Sequence, residues 1–472
     1  MVGRGIEAAV VARHRGRLSR LGHGQVLTPE GNGLWATGHT APRSGCQIEV
    51  LIDGASALPE MARAMRTARD YIHLTGWHVE PSFELTRDEQ PVVLGRLLAE
   101  LAEQIDVRVL VWAGAPVPAF HPSRREVRTT VENLVRGTRI RCAVDPREHP
   151  FHCHHEKTIV IDGELAFVGG IDLTTLAGDR FDSQDHEARR RLGWHDAAAL
   201  LRGPAVADVD EHFAFRWHQV TGERLARRPS PAPSGSHTVQ VVRTVAEDMY
   251  ADLPKGEFSV LESYVRALRS AEKLIYLEDQ FLWAPEIVAI LAEKLESPPQ
   301  SDFRIVLVLP ARPNNGRDTT LGQLGVLVDA DKGRQRLLAT TIRCLSGGRD
   351  DPLYVHAKIG IVDDRWLTVG SANLNDHSLL HDTEMNLVSD DPQLARETRI
   401  RLWAEHLQLD AATVAAADPC ELIDDRWRPI AYQQLDRLRA GAPPSHRLLA
   451  LPGVSHRSRR LLGPLVSLID DR

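Results

Sequence analysis

Lysine is nearly missing from this chain. Its 472 residues hold six Lys against fifty-one Arg, so arginine serves almost every general need for positive charge. Cysteine is scarce as well. Cys46, Cys142, Cys153, Cys344 and Cys420 are scattered, odd in number and never spaced as CxxC. That excludes a disulfide framework and the common zinc patterns, and it suits free thiols in a reducing compartment. No run of about eighteen apolar residues occurs, so no membrane-spanning helix is expected. The opening stretch, MVGRGIEAAVVARHRGRLSRLGHG, is basic but has no apolar segment of the length a secretory signal needs. A positive balance is missing too: the net charge is −7, which disfavours avid, sequence-blind nucleic-acid binding. The expectation is a cytoplasmic protein whose membrane contact, if any, is peripheral, with no stable nucleic-acid partner.

Against that scarcity, two lysines stand in matching places. HEKTIVID places His155, Lys157 and Asp162, and HAKIGIVD places His356, Lys358 and Asp363. On a strand, residues i and i+2 share a face, so each histidine points the same way as its lysine. The aspartates lie at an odd offset from the histidines. They face away or sit in the turn beyond, where Asp162-Gly163 and Asp363-Asp364 fit turn chemistry. The histidines and lysines are therefore read as the chemical groups, and the aspartates as scaffold within the same catalytic motif. One neutral imidazole can attack phosphorus, and another, starting as a cation, can protonate the departing oxygen. Two ammonium groups can hold the non-bridging oxygens, where charge gathers. Neither copy supplies all four groups, so the duplication implies one site at a seam between two halves. Such a site requires no metal or other cofactor, and a monomer suffices because both half-sites share one chain. The run His152-Cys153-His154-His155 has a metal-like composition. Strand neighbours face opposite ways, however, and the spacing fits no common zinc pattern, so no metal ligands are assigned.

Small residues follow each motif at equivalent distances: Gly169, Gly170 and Asp172 in the first half, and Gly370, Ser371, Asn373 and Asn375 in the second. Small residues let a backbone approach a phosphate closely, and Ser371 and Asn373 add side-chain donors. Gly170, Ser371 and Asn373 are the resulting candidates for substrate binding. Asp172, a carboxylate opposite Asn373 in the repeat, reads as a positioning group. A catalytic histidine needs an acceptor on its second nitrogen. Asp196 and Glu384 lie at comparable places downstream and can serve. Trp77, Phe281 and Trp283 are candidates for an acyl or headgroup path. Loops from Pro116 to Arg125 and from Pro313 to Thr320 are candidates for membrane contact.

Strand-like apolar runs alternate with helical stretches in the same order in both halves. In the first these are QIEVLID, a helix near 58–68, YIHLTGW, a helix near 93–104, VRVLVWA, a helix near 124–135 and TRIRCAV. In the second they are TVQVVRT, a helix near 259–271, LIYLEDQF, a helix near 284–295, FRIVLVLP, a helical stretch near 321–338 and TIRCL. Continuous apolar runs are those of strands covered on both faces, and the alternation gives an α/β layered fold. The segment containing RRPSPAPSGSH reads as a linker. The resulting division is an N-terminal extension (1–44), a first catalytic domain (45–223), the linker (224–237), a second catalytic domain (238–425) and a C-terminal cap or tail (426–472).

With these residues in view, the chain resembles the phospholipase D superfamily over roughly residues 45 to 425. HHEKTIVIDGELAFVGGIDL, GDRFDSQDH and GWHDAAALLRGPAVADV resemble the first catalytic half of the eukaryotic-type enzymes. IYLEDQF, YVHAKIGIVDDRWLTVGSANLNDHSLL, DTEMN and RLWAEHL resemble the second. No segment resembles the lipid-binding modules of larger members, so a bare catalytic core is expected. The resemblance implies two pseudo-symmetric α-β-α sandwich domains with mixed sheets and an active site at their interface. It also implies a phospholipid substrate at a membrane surface, phosphatidylcholine being the usual one, cleaved to phosphatidic acid with transfer to alcohols. It implies a phosphohistidine on His155, His356 as proton donor, and Asp196 and Glu384 as the histidine-orienting acids. Gln280 and Glu278 match a region near the pocket, while Asp279 departs from the family's usual Asn. Alternatives are a cardiolipin or other phospholipid synthase and a nucleic-acid phosphodiesterase.

Overall fold

A computed structural model describes residues 2–116, 121–149, 152–187, 191–313, 317–346 and 349–451. The apolar runs become strands. The first half supplies β1 (Arg43–Ile52), β2 (Tyr71–Gly76), β3 (Asp106–Trp112), β4 (Arg141–Asp145), β5 (Thr158–Ile161), β6 (Leu165–Gly169), β7 (Gly193–His195) and β8 (Ala197–Arg202). The second supplies β9 (His237–Val245), β10 (Glu257–Phe258), β11 (Leu274–Glu278), β12 (Arg304–Val308), β13 (Leu337–Ser346), β14 (Arg349–Val355), β15 (Ile359–Val362), β16 (Trp366–Gly370), β17 (Glu384–Ser389) and β18 (Leu448–Ala450).

Pairing repeats the sequence duplication strand for strand. The first sheet runs β4-β3-β2-β5-β6-β8-β1. The second runs β13-β12-β11-β15-β16-β17-β9. In each, three strands are parallel and the rest antiparallel, so both sheets are mixed. β1 also pairs with β9, and β7 with β14, which joins the sheets by hydrogen bonds. The whole is a mixed α/β fold with two pseudo-symmetric sheets.

Strand residues alternate between two cores, as a period of two demands. Val50, Val160, Val168 and Leu201 of the first sheet share one core with Val241, Tyr276, Ile361 and Leu387 of the second. The opposite faces bury Ile72, Val109 and Phe167 against helix residues Leu58, Met61 and Leu97, and Ile275, Leu307 and Trp366 against Leu261, Val265 and Ile287. Both faces of each sheet are therefore covered, which is why the strands read as unbroken apolar runs.

Local signals set several element ends. The helix Arg124–Val135 begins in a capping box of Ser123 and Glu126. The helical stretch expected to reach Leu338 stops at Asp331. Lys332, Gly333 and Gln335 take positive φ there, and the Asp331 carboxylate accepts the Gln335 and Arg336 N–H groups. A turn, with no further helical turn, thus delivers the chain into β13. Part of the C-terminal segment folds onto the second half: a helix spans Arg428–Arg439, and β18 pairs with β13. Residues 452–472 lie outside the described residues, as do 117–120 and 314–316 of the two loops considered for membrane contact.

Candidate active site

The motif histidines do not sit within strands, contrary to the pattern reading. His155 and Lys157 lie just before β5, and His356 and Lys358 occupy the link between β14 and β15. Each lysine ammonium turns back to donate to the carbonyl of its own histidine, Lys157 to His155 at 2.6 Å and Lys358 to His356. Backbone bonds fix both links from outside the motif. The His155 N–H donates to Thr383 O at 3.0 Å, and the His356 and Ala357 N–H groups donate to His195 O at 2.8 and 3.1 Å.

The two rings face each other with centroids 6.5 Å apart and planes at 68°. The orienting carboxylates are crossed. Asp196, from the first half, meets His356 Nδ1 of the second at 2.6 Å, and Glu384, from the second, meets His155 Nδ1 of the first at 3.0 Å. Both Nδ1 atoms are thereby engaged, which leaves the two Nε2 atoms as the reactive nitrogens. The His155 side chain keeps 14% of its surface open while that of His356 keeps 3%, so His155 forms the solvent-facing side of the gap.

Burial sets the proton inventory. It pushes the Asp196 carboxyl up to about 7, with the nearby Lys358 opposing. Burial, reinforced by Lys358 and Lys157, holds His356 well below the usual imidazole range. The Asp196–His356 couple therefore titrates near neutral pH, as a pair. Burial also lowers Lys358 to about 8, partly offset by Asp196 and Asp279. Asp279, the departure from the family's Asn, is itself raised to about 7 by burial. Its Oδ1 accepts the Phe281 and Leu374 N–H groups at 2.9 and 3.1 Å.

Asp162 and Asp363 take the scaffold place that their offset implied, and several other candidates serve differently from expectation. Asp162 and Asp363 stand at the far ends of β5 and β15, away from the rings. Asp162 accepts the N–H groups of Arg69, Asp70 and Tyr71, each at 2.8 Å. Asp363 accepts those of Glu272, Lys273 and Leu274 at 2.7–2.8 Å. Each clips the start of β2 or β11 to the end of its motif strand, so neither belongs with the catalytic groups. Ser371 is not a free donor for substrate, because its hydroxyl donates to Glu384 Oε2 at 2.5 Å, beside Ser378 on Oε1 at 2.5 Å. Gly170 makes room for a carboxylate, not for a phosphate: a Cβ there would overlap Asp196 Oδ1. The Gln280 amide donates to Tyr354 OH at 2.8 Å. Asn373 is buried, and its Oδ1 has no partner among the described residues. Asp172 faces Lys157 Nζ at 3.5 Å. Glu278 is committed to two other histidines, accepting from His195 Nε2 and His406 Nε2 at 2.8 Å each. Trp77 stacks on Trp112, and Trp283 packs on Phe281 while its Nε1 donates to Thr320.

Three contributors, Trp194, Arg180 and His195, escaped the sequence reading. The Trp194 ring lies 4.3 Å from that of His356, and the buried Arg180 guanidinium lies 3.4 Å above Trp194. His195 bridges the halves, with Asp53 on Nδ1 at 2.9 Å and Glu278 on Nε2 at 2.8 Å. Burial alone would depress this imidazole, but those two carboxylates raise it well above its usual range. The only signal was the position of Trp194 and His195 directly before Asp196.

Fold and site together define a duplicated α/β protein with one composite centre, two histidines and two lysines drawn from both halves. Known proteins carry the same duplication. Residues 64–193 match the family model described as phospholipase D, and residues 264–404 match that of the cardiolipin synthase, phospholipase D-like domain. Phospholipase D A of Dictyostelium discoideum is 25% identical over 462 residues, covering 78% of this chain and 36% of that protein. Phospholipase D alpha 4 of Arabidopsis thaliana is 24% identical, covering 76% and 65%. The chain thus spans between about one third and two thirds of these curated relatives. The crystal structure of phosphatidylserine synthase from Haemophilus influenzae shares the fold, with a TM-score of 0.51 at 13% identity, covering 85% of this chain and 95% of that one. The chain belongs to the phospholipase D superfamily and is related to the eukaryotic enzymes of that name.

Proposed function

We propose that this chain is a phosphodiesterase of the phospholipase D type. It cleaves a glycerophospholipid, with phosphatidylcholine as first-choice substrate, to phosphatidic acid and an alcohol. The observation that carries the reading is the facing pair of imidazoles, each braced by a carboxylate from the opposite half and flanked by a buried lysine. The ring centroids lie 6.5 Å apart, which lets both imidazoles face one phosphoryl group.

In the first step His155 Nε2 attacks phosphorus and the P–O bond to the headgroup alcohol breaks. His356, protonated and held at Nδ1 by Asp196, passes its Nε2 proton to the departing oxygen. Lys157 and Lys358 hold the non-bridging oxygens as charge develops there. The arriving phosphodiester anion favours protonated His356, offsetting the two ammonium groups that suppress it at rest. In the second step His356 takes a proton from water or a second alcohol, which attacks phosphorus and releases His155. This chemistry needs no metal or cofactor. The protein acts as a monomer, is cytoplasmic, and meets its substrate peripherally at a membrane surface. Among the described residues no helix is long and apolar enough to cross a membrane.

A second reading, phosphatidyl transfer to an alcohol as in a phospholipid synthase, draws support from the match of residues 264–404 to the cardiolipin synthase domain. Incubation with mixed phospholipid vesicles and a primary alcohol, with products separated by mass, tests both. Phosphatidic acid and phosphatidyl-alcohol support the lipid assignment, and their ratio separates hydrolase from transferase. Cleavage of DNA without any lipid product would refute it. His155→Asn is expected to abolish turnover and acid-labile labelling of the protein by phosphate.

A further inference from the structure

His152 belongs to a contiguous histidine-rich run whose spacing fits no common zinc pattern. The tertiary structure carries it to a different set of neighbours. Its side chain is 5% exposed, and its ring packs 4.6 Å from that of His377 and 4.6 Å from that of His381. Those two residues bound a single π-helical turn, His377–His381, an arrangement that often marks functional sites. Asp382 follows directly. Its Oδ1 accepts the Cys153 N–H at 2.8 Å and lies 3.5 Å from His152 Nδ1. The buried His152 Nδ1 has no hydrogen-bond partner among the described residues. One ligand atom from each of His152, His377 and Asp382 falls within 4.8 Å of the other two. Bonds of about 2.0–2.1 Å to nitrogen and oxygen place tetrahedral zinc ligands roughly 3.4 Å apart, a spacing small side-chain rotations reach from here. His377 is partly open to solvent, which gives an ion a way in.

We infer that His152, His377 and Asp382 form a binding site for one divalent transition-metal ion, Zn2+ being the first choice. Two imidazoles and one carboxylate are a donor set for zinc and its neighbours, not for calcium or magnesium. His152 comes from the first half, His377 and Asp382 from the second. His152 stands three residues before His155, and Asp382 two before Glu384. A bound ion therefore clamps together the two segments that carry the His155–Glu384 couple. It takes no part in phosphoryl transfer, and its binding is measured without any lipid.

The test is calorimetric titration of chelator-treated, dialysed protein with ZnCl2, run beside thermal melts with and without the metal. A His155→Asn background removes one of the two facing active-site imidazoles and so breaks up that pair as a competing ligand set. The expected result is one equivalent bound, a Zn2+-dependent rise in Tm, and visible d–d bands when Co2+ replaces Zn2+. His377→Gln, on the partly exposed ligand, and His152→Gln each weaken binding by about tenfold or more and remove the rise in Tm. Absence of saturable binding overturns the proposal. So does binding that survives His377→Gln and His152→Gln unchanged, or binding that disappears with His155→Asn alone.

Discussion

Replacing Asp196 by Asn tests the crossed-carboxylate arrangement directly. The substitution keeps size and shape in a fully buried site but changes what faces His356. Asp196 Oδ1 accepts the Ala197 N–H at 2.8 Å, and Oδ2 meets His356 Nδ1 at 2.6 Å. In the variant the amide oxygen keeps the Ala197 bond, which turns the NH2 group toward His356. Nδ1 then becomes an acceptor and the ring proton moves to Nε2. A neutral ring in that tautomer has no Nε2 lone pair with which to take a proton from water in the second step. Hydrogen bonds to charged groups contribute about 1.5–3 kcal/mol, and about 1.4 kcal/mol is tenfold in rate, so losing the bond alone costs roughly ten- to 150-fold. The wrong tautomer deepens the loss toward about 10⁴, as in a catalytic triad whose carboxylate becomes an amide. The assay is steady-state release of phosphatidic acid from vesicles, with thermal melting to show that the variant folds. The carboxyl that titrates at about 7 is also gone, so the corresponding limb of the pH–rate profile flattens. A folded Asp196→Asn protein retaining kcat within about fivefold of the parent, with an unchanged pH profile, would refute the reasoning.

Three further outcomes follow from the same geometry. Lys358 is lowered to about 8 by burial, so its charge is present below that pH and lost above it. The rate of phosphodiester cleavage should fall as pH rises through 8, and a profile flat to pH 10 would contradict the lysine's role. Asp162→Ala removes the acceptor for three backbone N–H groups, which should lower stability by about 2–4 kcal/mol. Denaturant melts would show this, while kcat per folded molecule stays near the parent value because Asp162 lies away from the rings. Gly170→Ala drives a methyl group into Asp196 Oδ1. It should lower kcat by about tenfold or more with little change in KM, and an unaffected kcat would show that the carboxylate position does not matter.

Much of the fold was legible because its determinants are local or periodic. Strands covered on both faces produce unbroken apolar runs, so β2, β3, β11 and β12 stood out. The repeated order of elements announced two equivalent sheets. Element ends were less readable: the helix before β13 stops at Asp331 because that carboxylate caps a turn through Gln335 and Arg336, and nothing in the apolar pattern marks this. The role of Asp162 and Asp363 in turns was readable from their odd offset and their neighbours. The roles of Gly170 and Ser371 were not, since both depend on where a distant carboxylate lies.

The amino-acid sequence by itself determined which groups are available: two histidine–lysine pairs, two downstream acids and a duplicated α/β frame, all written as short-range spacing. Only the tertiary structure decided who serves whom. Asp196 and Glu384 exchange partners across the halves, and His152 leaves its own run to meet His377 and Asp382. Spacing along a chain specifies which face a side chain takes. Pairing between segments more than 150 residues apart depends on how two packed sheets bring their edges together, and burial at that junction then sets which group holds the proton.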